Sequence, residues 1–153
     1  MAKKSGFTLI ELLVVISIIG TLVGLIVNNM ADARARARDA KRKSGLNQLK
    51  TALRLYYNDY QHYPTGAGTT FNGCGLDGDD ACPEPPGIFS AGSDSTIYMR
   101  EIPAGIQYQS TGEDSFITRA VLENASDPDI LPSQLACPDG TPYAKTEFVV
   151  CAD

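Results

Sequence analysis

The sequence predicts an α+β protein: a long N-terminal α-helix, membrane-spanning and then amphipathic, packed on a small antiparallel β-sheet head with disulfide-closed loops. Three observations predict it. Residues 7–27 form an apolar run interrupted by one charge, Glu11. Leu46, Leu49, Leu53, Tyr56 and Tyr60 recur at i, i+3, i+7, i+10 and i+14, which draws one stripe on a helix. Beyond residue 63, short segments alternate in hydropathy, Gly and Pro cluster, and all four cysteines of the 153-residue chain are found.

The first element follows from length and position. Phe7 to Val27 is 21 residues, enough to cross a hydrocarbon core of about 30 Å at about 1.5 Å per residue. An ordinary secretory signal has a shorter apolar region and a small-residue cleavage site after it. Here Gly6 precedes the run and no Ala-x-Ala pattern closes it, so cleavage of a 1–6 leader keeps the hydrophobic helix. A carboxylate at membrane depth costs about 2.5–3.5 kcal/mol on insertion scales, which marks Glu11 as functional. It lies one helical turn from Phe7, within reach of an N-terminal amine, and in hydrocarbon it needs a cation or a proton.

The helix is expected to continue through residues 28–63, which hold no Pro and are rich in Ala, Leu, Arg and Lys. Pro64 and the Gly-rich stretch after it end the helix. An element from about Phe7 to Tyr60 would reach roughly 80 Å. Its weak points are Gly20 and Gly24, each about 1 kcal/mol worse than Ala in a helix interior. Any kink is expected between Gly20 and Asn29; close helix packing through the small residues is the other role open to them.

Charge is distributed unevenly. Residues 1–60 carry ten Lys/Arg against four Asp/Glu, and residues 61–153 carry three against fourteen, for a net charge of −5. An acidic head argues against nucleic-acid binding through that head. The basic run Arg34, Arg36, Arg38, Lys41, Arg42 and Lys43 follows the apolar segment and outvotes Lys3 and Lys4 under the positive-inside rule. Export of the cysteine-bearing head requires the opposite orientation, N-terminus inside. The run then reads as a solvated helix band, facing acidic heads or lipid headgroups, with a DNA-binding band as the sharper alternative.

In the head, Cys74, Cys82, Cys137 and Cys151 read as disulfides of an oxidising compartment, since neither close pair has zinc-site spacing. Of the three pairings, Cys74–Cys82 with Cys137–Cys151 is preferred because each closes a local loop. Residues 64–96 read as a long loop that Pro83-Glu84-Pro85-Pro86 keeps irregular. Asp77, Asp79 and Asp80 on its Gly-containing turn are oxygen ligands suited to Ca²⁺, although no EF-hand pattern is present and such turns are commonly just solvated. Ile106–Gln109 and Ser115–Leu122 form a hairpin about a turn at 111–114, Thr146–Cys151 adds a third strand, and Ile97–Met99 begins the sheet or forms a turn. Asn124-Ala125-Ser126 matches a glycosylation sequon.

No nucleophile constellation, phosphate-binding Gly-rich loop or His-Glu-x-x-His is present. The lone His62 reads as a helix-end residue, and Asp127 and Asp129 around Pro128 read as turn chemistry. The chain is therefore expected not to be an enzyme.

MAKKSG followed by FTLIELLVVISIIG resembles the class III signal of type IV pilins and type II secretion pseudopilins, and ALRLYYNDYQHYP resembles the end of their long helix. The resemblance implies cleavage after Gly6 by a prepilin peptidase and N-methylation of Phe7. It implies that Glu11 pairs with the Phe7 amine of a neighbouring copy as a helical homo-oligomeric filament grows on an inner-membrane assembly platform. The subunit would pass from the inner membrane to an extracellular filament. The Cys137–Cys151 pair also resembles the C-terminal disulfide loop of these pilins. Many pilins carry a Pro in the bare helix; this chain has Asn28-Asn29 instead. Major pseudopilins often carry Asp-Pro-Trp-Gly near the C-terminus, and this chain has no Trp, which favours a type IV pilin. A pseudopilin, or a minor pilin for adhesion or DNA uptake, stays open. Some pseudopilins bind calcium in a loop.

Overall fold

The computed structural model describes residues 7–138 and 142–152, without the side chains of 25–29. The leader and Gly6 lie outside these residues. Helix α1 runs Leu9–Tyr60, and the chain divides into two compact units, Met1–Ala37 and Arg38–Asp153.

The first unit is helix from Leu9 onward, and every large apolar side chain from Phe7 to Val23 is exposed. Covering one such side chain is worth about 1.5–3 kcal/mol, so this surface calls for a lipid or protein environment. Among the described residues no helix is long and apolar enough to cross a membrane. The run's last residues, 25–27, fall in the stretch whose side chains are not described. A span over Phe7–Val27 therefore stays a reading of the sequence.

In the second unit, residues 38–60 of α1 pack on an antiparallel sheet. The strands are β1 (Ala67–Gly68), β2 (Asn72–Cys74), β3 (Asp80–Ala81), β4 (Phe89–Ala91), β5 (Thr96–Met99), β6 (Ile106–Ser110), β7 (Phe116–Val121) and, after helix α2 (Ile130–Ala136), β8 (Glu147–Cys151). The main sheet has the order β1-β6-β7-β8. The register sets Ile106, Ala120 and Phe148 in one row and Tyr108, Thr118 and Val150 in the next. These residues face the stripe on α1: Leu46, Leu49, Leu53 and Tyr56 are fully buried in the same core as Ile106, Tyr108, Phe116 and Val150. The predicted stripe, hairpin and third strand are all present.

Three features differ from the sequence reading. The predicted 64–96 loop contains β1 at the sheet edge and two small ribbons, β2–β3 and β4–β5. Phe71 and Phe89 anchor it in the core, with ring centroids 5.1 Å apart. Ile97–Met99 joins β4 rather than the main sheet. The third difference is a second layer on the outer sheet face, where α2 and the Cys137–Cys151 bridge cover Ile117 and Val149. Strand β7 is consequently buried almost throughout instead of alternating.

Candidate functional site

The assembly element predicted at the N-terminus has a defined local geometry. Thr8 precedes the first helical residue and Glu11 stands three residues on, the spacing of a capping box. Glu11 Oε2 accepts hydrogen bonds from Thr8 N at 2.9 Å and Thr8 Oγ1 at 2.6 Å. Glu11 N donates in turn to Thr8 Oγ1 at 3.3 Å. The carboxylate thus closes its own helix start, where the positive end of the helix dipole favours it. Phe7, just ahead, is 85% exposed. The Thr-x-x-Glu spacing was visible in the sequence, but the reading of Glu11 as an intersubunit charge passed over it.

Gly20 and Gly24 are helical, and a Cβ built at either meets nothing within 4 Å. Close packing within this chain therefore does not require Gly at those positions.

The basic band is only half solvated. Arg38 grips Glu123 with Nε at 2.9 Å and Nη2 at 2.6 Å. Arg42 bridges Asp39 and Glu123, each at 3.0 Å. Lys43 Nζ reaches Asp127 at 2.9 Å and Asp129 at 2.7 Å. The Arg38 fork holds the Glu123 carboxyl down at about 2. Lys43 lowers Asp127, while Asp129 and Asp127 raise Lys43. Asp127 and Asp129 do make a turn, with Asp129 N donating to Asp127 Oδ1 at 3.0 Å, and they also receive this lysine.

Sequence reasoning also missed Asp39. It is 1% exposed and accepts the backbone N–H of Glu123 at 2.8 Å and of Asn124 at 2.9 Å. The sequon residue Asn124 is therefore held at its backbone, and its Oδ1 accepts Ser126 N at 3.1 Å.

Both preferred disulfides are formed, Cys74–Cys82 and Cys137–Cys151. The first brackets the acidic turn, whose Gly78 carbonyl accepts the Tyr56 hydroxyl at 2.8 Å. Burial, with the Asp79 charge nearby, pushes that hydroxyl up to about 12. Gly78 has φ +79°, and a Cβ there would lie 2.6 Å from the Tyr60 ring. Asp77, Asp79 and Asp80 are exposed, and no group of three or more His, Cys, Asp or Glu able to hold a metal occurs among the described residues. In this turn it is the Gly78 backbone that Tyr56 and Tyr60 hold from below. His62 sits edge-on to Tyr56, with centroids 5.8 Å apart, as part of the helix-end aromatic cluster.

Residues 1–27 match the prokaryotic N-terminal methylation motif. The chain is 44% identical over 63 residues to the type II secretion system core protein G of Escherichia coli (strain K12), covering 41% of this chain and 43% of that protein. It is 41% identical over 63 residues to the protein of the same name from Aeromonas hydrophila, covering 41% and 44%. It is 34% identical over 61 residues to the type IV major pilin protein PilA of Myxococcus xanthus (strain DK1622), covering 40% and 28%. The chain thus spans less than half the length of these relatives. No solved structure matches. The N-terminal motif and these relatives place the chain's resemblance among type IV pilins and type II secretion pseudopilins.

Proposed function

We propose that this chain is the structural subunit of a helical filament, a type IV pilin that assembles through its N-terminal hydrophobic helix. One observation carries the reading: an exposed apolar helix begins with a carboxylate at its first turn, inside a methylation motif. Residues 7–27 are held in the inner membrane and then buried among the same helices of neighbouring copies. A prepilin peptidase cleaves after Gly6 and the Phe7 amine is methylated. Glu11 already uses Oε2 within its own chain; Oε1, which has no partner among the described residues, accepts the incoming amine. The role is structural rather than catalytic, and the head lies outside the cytoplasm.

Electron microscopy of sheared filaments, with mass spectrometry of their N-terminus, tests this. Micrometre filaments of this chain beginning at methylated Phe7 are expected. Filaments retaining residues 1–6 would refute the processing step.

A second reading, the pseudopilin of a type II secretion system, is favoured by the names of most relatives. The absence of Trp favours the pilin. Loss of exoprotein secretion without surface filaments in a deletion strain would select the pseudopilin.

A further inference from the structure

A groove of about 490 Å³ runs beside α1 in the second unit. Its polar side is lined by Arg38, Lys41 and Arg42, its apolar side by Met99 and Pro103, and Glu101 is the one acidic lining residue described. Arg38 and Arg42 are committed to Glu123, whereas Lys41 is exposed and has no ion-pair partner among the described residues. The site therefore offers one uncompensated cation beside an apolar strip.

The complement exists on the same chain. The tip of the β2–β3 ribbon presents Leu76, 71% exposed, next to Asp77 and Asp79, which are exposed and have no ion-pair partner among the described residues. That tip is rigid: Cys74–Cys82 brackets it and Tyr56 holds the Gly78 carbonyl. It lies over Tyr56 and Tyr60, while the groove lies beside residues 38–48. Lys41 itself stands about 22 Å along the helix from Tyr56, so the tip does not reach the Lys41 of its own chain.

We infer that the Lys41 groove receives the Leu76-Asp77-Gly78-Asp79 tip of a second copy, with Lys41 on the carboxylates and Leu76 on Met99 and Pro103. Such a contact joins two different surfaces, so in a helical filament it repeats from copy to copy instead of pairing two copies off. The inference rests on the filament reading and adds a head-to-head contact to it.

The test is zero-length carbodiimide cross-linking of the full chain in membranes and in filaments, using co-expressed light and isotopically heavy copies. A mixed-isotope peptide joining Lys41 to Asp77 or Asp79 is expected. Lys41→Glu, which also removes the cross-linked amine, is read by the yield of sheared filaments and should lower them by up to about fivefold. Combining it with Asp77→Lys and Asp79→Lys should restore them. Filaments that lack the mixed peptide overturn the inference and leave the filament reading standing. Cross-links in membranes from a chain that never forms filaments uphold the contact and sink the filament. Absence of the peptide from both samples overturns the contact. So does a Lys41→Glu variant that assembles normally but loses retention on phosphatidylglycerol vesicles.

Discussion

The Asp39 carboxylate, buried on α1, accepts the backbone N–H of Glu123 at 2.8 Å. The same carboxylate takes the Asn124 N–H at 2.9 Å, and Arg42 neutralises it at 3.0 Å. A single carboxylate within the basic run of α1 thus fastens the loop after β7 to the helix. Asp39→Ala orphans two backbone donors and removes one of the two carboxylates that Arg42 bridges, at a cost of about 2–3 kcal/mol. Thermal melting of the detergent-solubilised chain measures it. Asp39→Asn should fall between wild type and Ala, because its amide nitrogen cannot accept.

The surrounding ion pairs predict acid sensitivity. The folded-state pKa of Glu123 lies near about 2 and that of Asp127 is also lowered. At a given acid pH the unfolded chain therefore binds more protons, and stability falls as the pH falls. The contribution is complete above the unfolded carboxylate range and is lost as pH drops from about 5 toward about 2. Glu123→Gln should flatten the melting temperature against pH in that window and leave the slope near neutrality unchanged.

The helix stripe, the β6–β7 hairpin and β8 were legible because each has a period and enough length to repeat it. What was illegible has neither. Helix α2 is seven residues long with Pro132 in its first turn, where proline is tolerated. Its polar hold on the sheet comes from Ser133 Oγ, which accepts Val149 N at 3.2 Å, and from Gln134 Nε2, which donates to Glu147 O at 2.8 Å. Strands β1 and β3 have two residues each and are ordered by a register and a bridge rather than by hydropathy. At the candidate site Glu11 was readable from one charge in an apolar run. The Arg38–Glu123 and Lys43–Asp127 pairs join residues 84 or more apart in sequence, which no local pattern marks.

The bridge from Cys137 to Cys151 closes a loop with sequence separation 14. Replacing both by Ser should cost about 3 kcal/mol on the chain-entropy estimate. The loss should show first in the outer layer, as faster amide exchange at Ile117 and Val149, before the α1 face of the sheet opens. Equal, simultaneous exposure of both faces would contradict two separable layers.

Glu11→Ala removes a cap and a charge together, so its effect on assembly needs a partner. Thr8→Val deletes the hydroxyl that holds Oε2 at 2.6 Å while leaving the carboxylate. It should cost about 1 kcal/mol of helix start and keep most filament yield. Glu11→Ala should keep processing and lose filaments. Matching losses from the two variants would assign the phenotype to helix capping and remove the registration role.

Gly20 and Gly24 separate two explanations by sign. Because a Cβ at either position meets nothing within 4 Å, Gly20→Ala and Gly24→Ala should stiffen the helix, each by about 1 kcal/mol. If these glycines let the helix bend as it leaves the membrane, the stabilised double variant assembles poorly although its monomer melts no lower than wild type. If they instead admit a neighbouring helix at close range, the double variant also assembles poorly. Ser at both positions distinguishes the cases: it keeps a small side chain, yet its helix propensity is close to that of bulkier residues. Because Ser is bulkier than Ala but a weaker helix former, a higher filament yield with Ser than with Ala assigns the glycines to bending, and a yield falling from Ala to Ser to Leu assigns them to packing. No higher yield with Ser than with Ala, together with a continuous helix through Gly20–Asn29 in a filament map, eliminates the proposed bend.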